Sequence, residues 1–200
     1  MKLSKLMAMS VLAASVASAA IVSNGGFELG NFSSWTLAGG CANVKVGGAP
    51  FICGSLDSDV GPHTGTYAAY LGSTGNPGNR LSQTLATSAG ATYAVDFWLA
   101  VPTLSGLATP NFFTVLAGGN TVNSATNLPA AGYTHYTFNF VAAGASTVLQ
   151  FNTSNNPAYF ILDDVSVNFV SGPSVPEPAS VALLGVGGAV LIALKRLRRR

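Results

Sequence analysis

Trp98, Asp96, His135 and Asn139 are the side chains best suited to recognising a sugar. An indole plane stacks on a pyranose ring, while carboxylate, imidazole and amide groups bond its hydroxyls. Two alternating runs bring them within reach of one another. Residues 92–100 set Tyr93, Val95, Phe97 and Leu99 against Ala94, Asp96, Trp98 and Ala100, and residues 134–141 set Tyr136, Phe138 and Phe140 against His135, Thr137 and Asn139. Period two is the strand period, so if the first set in each run faces a core, the second faces outward. The run 66–71 alternates too, with Tyr67, Ala69 and Leu71 on one side, which turns Tyr70 outward. The competing reading packs these aromatics against loops or an overlying strand, because large aromatics in β-proteins usually belong to a core. Trp35 follows a turn and is expected in the core.

Catalytic chemistry finds little support. The chain has two histidines and few carboxylates, with no G-x-S-x-G and no H-E-x-x-H. Asp96 has no partner carboxylate of the kind a glycosidase needs across a cleft. The expectation is a non-catalytic protein. Asp57-Ser58-Asp59 resembles part of a cation loop, but it lacks the remaining ligands and closing Glu of an EF-hand, and reads as a solvated turn.

These side chains must be positioned by strands. Alternating runs separated by Gly, Asn and Pro clusters continue through 159–168, and no amphipathic helix is visible between residues 21 and 170. Residues 72–79 and 103–110 read as loops. The pattern predicts an all-β domain over 20–170, a two-sheet antiparallel jelly-roll β-sandwich. The chain of 200 residues has a formal charge of +2, yet of its nine Lys and Arg only Lys45 and Arg80 lie between 21 and 170. Six acidic residues stand against them there, giving about −4. No basic surface is available to neutralise phosphates, so no nucleic-acid partner is expected.

The two ends read as addresses. Lys2 and Lys5 precede an apolar run, and Ala17-Ser18-Ala19 is a cleavage site, so residues 1–19 are a signal peptide for the Sec machinery. Export supplies an oxidising compartment, in which Cys41 and Cys53 are expected to bridge. Closing a loop of that size is worth roughly 3 kcal/mol in the chain-entropy model. At the other end, residues 171–178 form a linker ending in Pro176-Glu177-Pro178. An uncharged run at 179–194 reads as a single transmembrane helix, and 195–200 as a basic cytoplasmic tail. Sixteen helical residues span roughly 24 Å. That is short for a hydrocarbon core of about 30 Å, a gap that snorkelling and local thinning can absorb.

The tail, with its Pro-Glu-Pro motif, short apolar helix and arginine-rich terminus, resembles the bacterial PEP-CTERM sorting signal. That resemblance implies an exosortase-type processing enzyme as partner. It also implies a transient inner-membrane anchor with the domain in the periplasm, then delivery to the surface or matrix of a Gram-negative bacterium that makes exopolysaccharide. A second resemblance spans the domain. Asn24-Gly25-Gly26-Phe27-Glu28 with Trp35, His63-Thr64-Gly65-Thr66-Tyr67-Ala68, Leu81-Ser82-Gln83-Thr84-Leu85 with the region 90–98, and Phe160 to Val167 resemble, in order, motifs of galactose-binding-like carbohydrate-binding modules. The middle stretch, including 41–53, departs from that pattern. In that fold the first and last strands lie close, and the resemblance implies a structural Ca2+ held by Glu28 and by Asp163 or Asp164, with carbonyls near Thr64 and Gly65. Neighbours on a strand point to opposite faces, so only one Asp is expected to reach the ion. The expected function is exported carbohydrate or exopolysaccharide binding at Trp98, Tyr70, Asp96, His135 and Asn139. The alternative is a purely structural biofilm or cell-surface protein with no glycan ligand.

Overall fold

The structure is a computed structural model that describes residues 21–39, 41–45 (backbone only), 60–72, 78–103, 110–155 and 158–172. The signal peptide, Cys53, the Asp57-Ser58-Asp59 turn, the Pro176-Glu177-Pro178 motif and the apolar run 179–194 lie outside the described residues. Ten strands follow in chain order: β1 (Thr36–Ala38), β2 (Cys41–Lys45), β3 (Ala68–Gly72), β4 (Asn79–Ala86), β5 (Thr92–Val101), β6 (Asn111–Ala117), β7 (Asn120–Thr126), β8 (Ala131–Val141), β9 (Ser146–Asn155) and β10 (Tyr159–Ser171). They form two five-stranded sheets. The first has the order β1-β4-β9-β6-β7 and the second β2-β3-β10-β5-β8, with every pairing antiparallel.

The alternation of the sequence sets which side chains fill the space between the sheets. Val95, Phe97 and Leu99 of β5, Phe160 and Leu162 of β10, Leu81 of β4, Phe113 of β6 and Leu149 and Phe151 of β9 are all buried there. Phe97 stacks on Tyr136 and meets Phe113, Phe138 and Phe151. Truncating a ring so placed costs about 3–5 kcal/mol. Trp35 joins this core as expected, against Phe27 and Phe151, and its indole N–H donates to the Asn24 carbonyl at 3.0 Å.

One irregularity matters for the site. Between Asp163, opposite Trp98, and Ser166, opposite Asp96, β10 advances three residues while β5 advances two. The extra residue is a β-bulge at Asp164, whose φ is 49°. Asp tolerates this left-handed conformation better than most residues.

Candidate functional site

The second sheet turns the predicted strip outward. Trp98 stands directly opposite His135, and Asp96 opposite Thr137, across the β5–β8 ladder; Asn139 lies one rung further, opposite Ala94. His135 and Asn139 are exposed, and Trp98 and Asp96 half-buried. Asp96 accepts the Thr137 hydroxyl at 2.6 Å and lies 3.4 Å from Nε2 of His135. The indole is already stacked: His135 lies 4.8 Å from it at 25°, and His63 lies 3.9 Å from it at 17°. His135 belongs to β8 and His63 is held on the β10 side, so the indole stands between the two imidazoles. Tyr133 closes the group, with its ring edge-on to His63 at 5.0 Å.

Tyr70 does not join an open strip. It faces away from the inter-sheet core, as its alternation requires, but it is fully buried with Tyr159, Ile161, Ala68 and Ala100. Its hydroxyl donates to the Val60 carbonyl at 3.2 Å, and that of Tyr133 to the Gly61 carbonyl at 2.9 Å. The segment 60–63 therefore covers this end of the sheet. Burial, with Tyr159 and Asp163 nearby, pushes the Tyr70 phenol up to about 12, so it serves there as a neutral donor.

The acidic trio meets around one loop, residues 63–67. Glu28 accepts from the Thr66 and Tyr67 amides at 3.0–3.1 Å. Asp163 accepts from the His63 amide at 2.8 Å, the Thr64 amide at 3.3 Å and the Asp164 amide at 2.7 Å. Asp164 accepts the Thr64 hydroxyl at 2.7 Å and Nδ1–H of His63 at 2.6 Å. Simple alternation allowed one Asp to reach this place. The bulge brings both, because the extra residue cancels the change of face. Asp163 is fully buried, and desolvation pushes its carboxyl up to about 6.

The donor set is hard oxygen, which suits calcium. Around Gly26, Asp163 and Asp164 each present one carboxylate oxygen and Glu28 its side-chain stem; a methyl group there would meet them at 3.4–3.9 Å. Glu28 turns its carboxylate to the 66–67 amides instead. Among the described residues, no three His, Cys, Asp or Glu side chains converge on a metal-sized point.

The first sheet carries an outward face that the sequence reading missed. The register aligns two rows across it. One runs Ala38–Arg80–Asn152–Thr114–Ser124, the other Thr36–Ser82–Gln150–Leu116. None of these side chains is buried. Gln150 donates to Oδ1 of Asn152 at 2.7 Å, and Thr114 and Ser124 hydroxyls lie 3.2 Å apart. The period-two signal was present in Phe113, Val115 and Ala117 and in Leu149 and Phe151. His63 was likewise missed as a contact of Trp98, for nothing local in the sequence points to it.

Residues 174–200 match the PEP-CTERM protein-sorting motif, a signal of exported proteins that carry a C-terminal membrane anchor before exosortase processing. No curated protein matches the sequence. Among solved structures, the chain is similar to the CBM22-1 xylan-binding domain of Paenibacillus barcinonensis Xyn10C, with 17% identity, 80% of this chain and 99% of that one covered, and a TM-score of 0.54. It is similar to TmCBM61, solved in complex with beta-1,4-galactotriose, with 19% identity, 76% and 100% covered, and a TM-score of 0.52. A cyclase from Fischerella sp. TAU is similar too, with 15% identity, 78% and 100% covered, and a TM-score of 0.57. These identities establish the jelly-roll fold of carbohydrate-binding modules and no particular activity.

Proposed function

We propose that this protein is a non-catalytic carbohydrate-binding module of a Gram-negative bacterium. In this reading it is exported through the periplasm, anchored by its tail, and delivered after exosortase processing to the cell surface or matrix, where it holds exopolysaccharide. The observation that carries the binding is the outer face of the first sheet. Amides and hydroxyls stand there in register across five strands, unburied, which is the chemistry that pairs with sugar hydroxyls. Two of the similar domains support it by what they bind, xylan in one case and beta-1,4-galactotriose in the other. The Trp98 strip is the rival location, on the opposite outer face. Its indole faces are taken by His63 and His135, so a sugar ring would have to displace one of them.

A glycan array probed with the intact chain in detergent tests the reading. We expect retention on at least one polysaccharide, and a loss of tenfold or more in affinity for Gln150→Ala/Asn152→Ala. Uniform absence of binding would favour the second reading, a structural surface protein without a glycan ligand. That reading draws its support from the covering of Tyr70 by segment 60–63.

Calcium is a separate proposal, supported by the carboxylates gathered around Gly26. If the ion binds there, millimolar Ca2+ raises the melting temperature and Asp163→Asn abolishes the rise; a chelator that leaves the melting temperature unchanged ends the proposal.

A further inference from the structure

We infer that the first sheet's outer face selects an acidic polysaccharide, one whose sugars carry carboxylates, and that Arg80 is its anion anchor. The inference rests on the reading that this face binds glycan, and adds the class of glycan.

The described carboxylates lie off the strands of the first sheet, while the two cations of residues 21–170 are divided, Lys45 on β2 of the second sheet and Arg80 on β4 of the first. The strands β1, β4, β6, β7 and β9 contain no Asp or Glu, and their one cationic residue is Arg80. The described carboxylates Glu28, Asp163 and Asp164 are gathered around loop 63–67, and Asp96 lies on the second sheet beside His135 and Thr137. The ion pairs formed among the described residues are His63–Asp164 and His135–Asp96. So, among the described residues, a domain that is acidic as a whole presents one sheet whose strands carry a cation and no carboxylate.

Arg80 is exposed and sits within the row, between Ala38 on β1 and Asn152 on β9. Ala38, its partner on β1, is exposed and carries no group that could pair with the guanidinium. The planar fork of Arg matches a carboxylate in a bidentate pair, which a neutral amide cannot replace. The ring hydroxyls of the same sugar then fall to Asn152, to Gln150 and to Ser82 in the neighbouring row. A neutral glycan would use the amides and leave the guanidinium without a partner.

The test titrates the intact chain in detergent with polygalacturonate, alginate and hyaluronan, each beside its carboxyl-reduced form. We expect at least one acidic polymer to bind tenfold or more tightly than its reduced form. Arg80→Gln should erase that preference, Arg80→Lys should keep part of it, and raising NaCl from about 50 to 500 mM should weaken the acidic form alone. Equal binding of acidic and reduced forms overturns the inference, as does an Arg80→Gln protein that binds like wild type. If neutral glycans bind on the array and these acids do not, the inference fails and carbohydrate binding stands. If nothing binds in either experiment, carbohydrate binding fails as well. Arg80 is exposed, so an unchanged melting temperature for Arg80→Gln separates lost binding from lost folding.

Discussion

Gly65 and Glu28 are fitted to each other atom by atom. Gly65 has a φ of 63°, and a methyl group added there would lie 2.4 Å from Oε1 of Glu28. The carboxylate can reach the Thr66 and Tyr67 amides because nothing stands between them. Gly65→Ala therefore meets two penalties, the left-handed conformation and the collision. The first alone is worth about 1–2 kcal/mol, or a fall of roughly 2–8 °C in melting temperature for a domain of this size. In a Glu28→Ala background the collision partner is gone, so the same substitution should cost less there. Thermal melts of the four proteins in the cycle measure that coupling. Equal costs in both backgrounds would mean that the carboxylate does not bear on Gly65. Gly25 shows the same kind of requirement, since a methyl group there would lie 1.9 Å from the Val165 carbonyl oxygen.

Among the elements, β10 is where regular alternation and the observed structure part. The inward faces of β5, β8 and most of β10 were legible from period two alone, as was the core position of Trp35. The bulge at Asp164 was not legible. A run of Leu162-Asp163-Asp164-Val165 looks like an ordinary strand, and the loop it clamps lies about a hundred residues away in sequence. The outer face of the first sheet escaped for a different reason. Its strands β7 and β9 set Thr, Asn, Ser and Gln outward and β6 sets Thr114 between Phe112 and Leu116, and such polar side chains announce neither catalysis nor stacking. The clamp itself makes a testable demand. Burial pushes Asp163 up to about 6 from an ordinary 3.8, so between those values the folded state holds a proton that the unfolded chain has released. Its contribution to stability is complete below about pH 4 and is lost as pH rises through 6. Two pH units correspond to at most about 3 kcal/mol. Urea melts in chelator should show stability falling over that window and the fall flattened in Asp163→Asn. A wild-type slope of the opposite sign would show that the buried carboxylate is already stabilised as an anion.

At the scale of the molecule, a sandwich offers two outer faces, and the two differ in kind. One carries the His63–Trp98–His135 stack and adjoins the carboxylate-clamped loop; the other carries neutral amides, hydroxyls and Arg80, with Phe112, Leu116 and Val148 among them. Sheets pack about 10 Å apart, so a glycan seated on one face cannot touch side chains on the other. The chain's two tryptophans make this difference measurable. Trp35 lies in the core, and Trp98 lies on the outer face of the second sheet. In Trp35→Phe, which keeps an aromatic ring against Phe27 and Phe151, Trp98 is the sole indole. Saturating glycan should leave its emission maximum and intensity unchanged if the ligand occupies the Arg80 face. A shift on binding would require a ligand that displaces His135 or His63 from the indole, and would move the site to the Trp98 strip. The complementary measurement is affinity: Trp98→Ala should retain the glycan that Gln150→Ala/Asn152→Ala has lost.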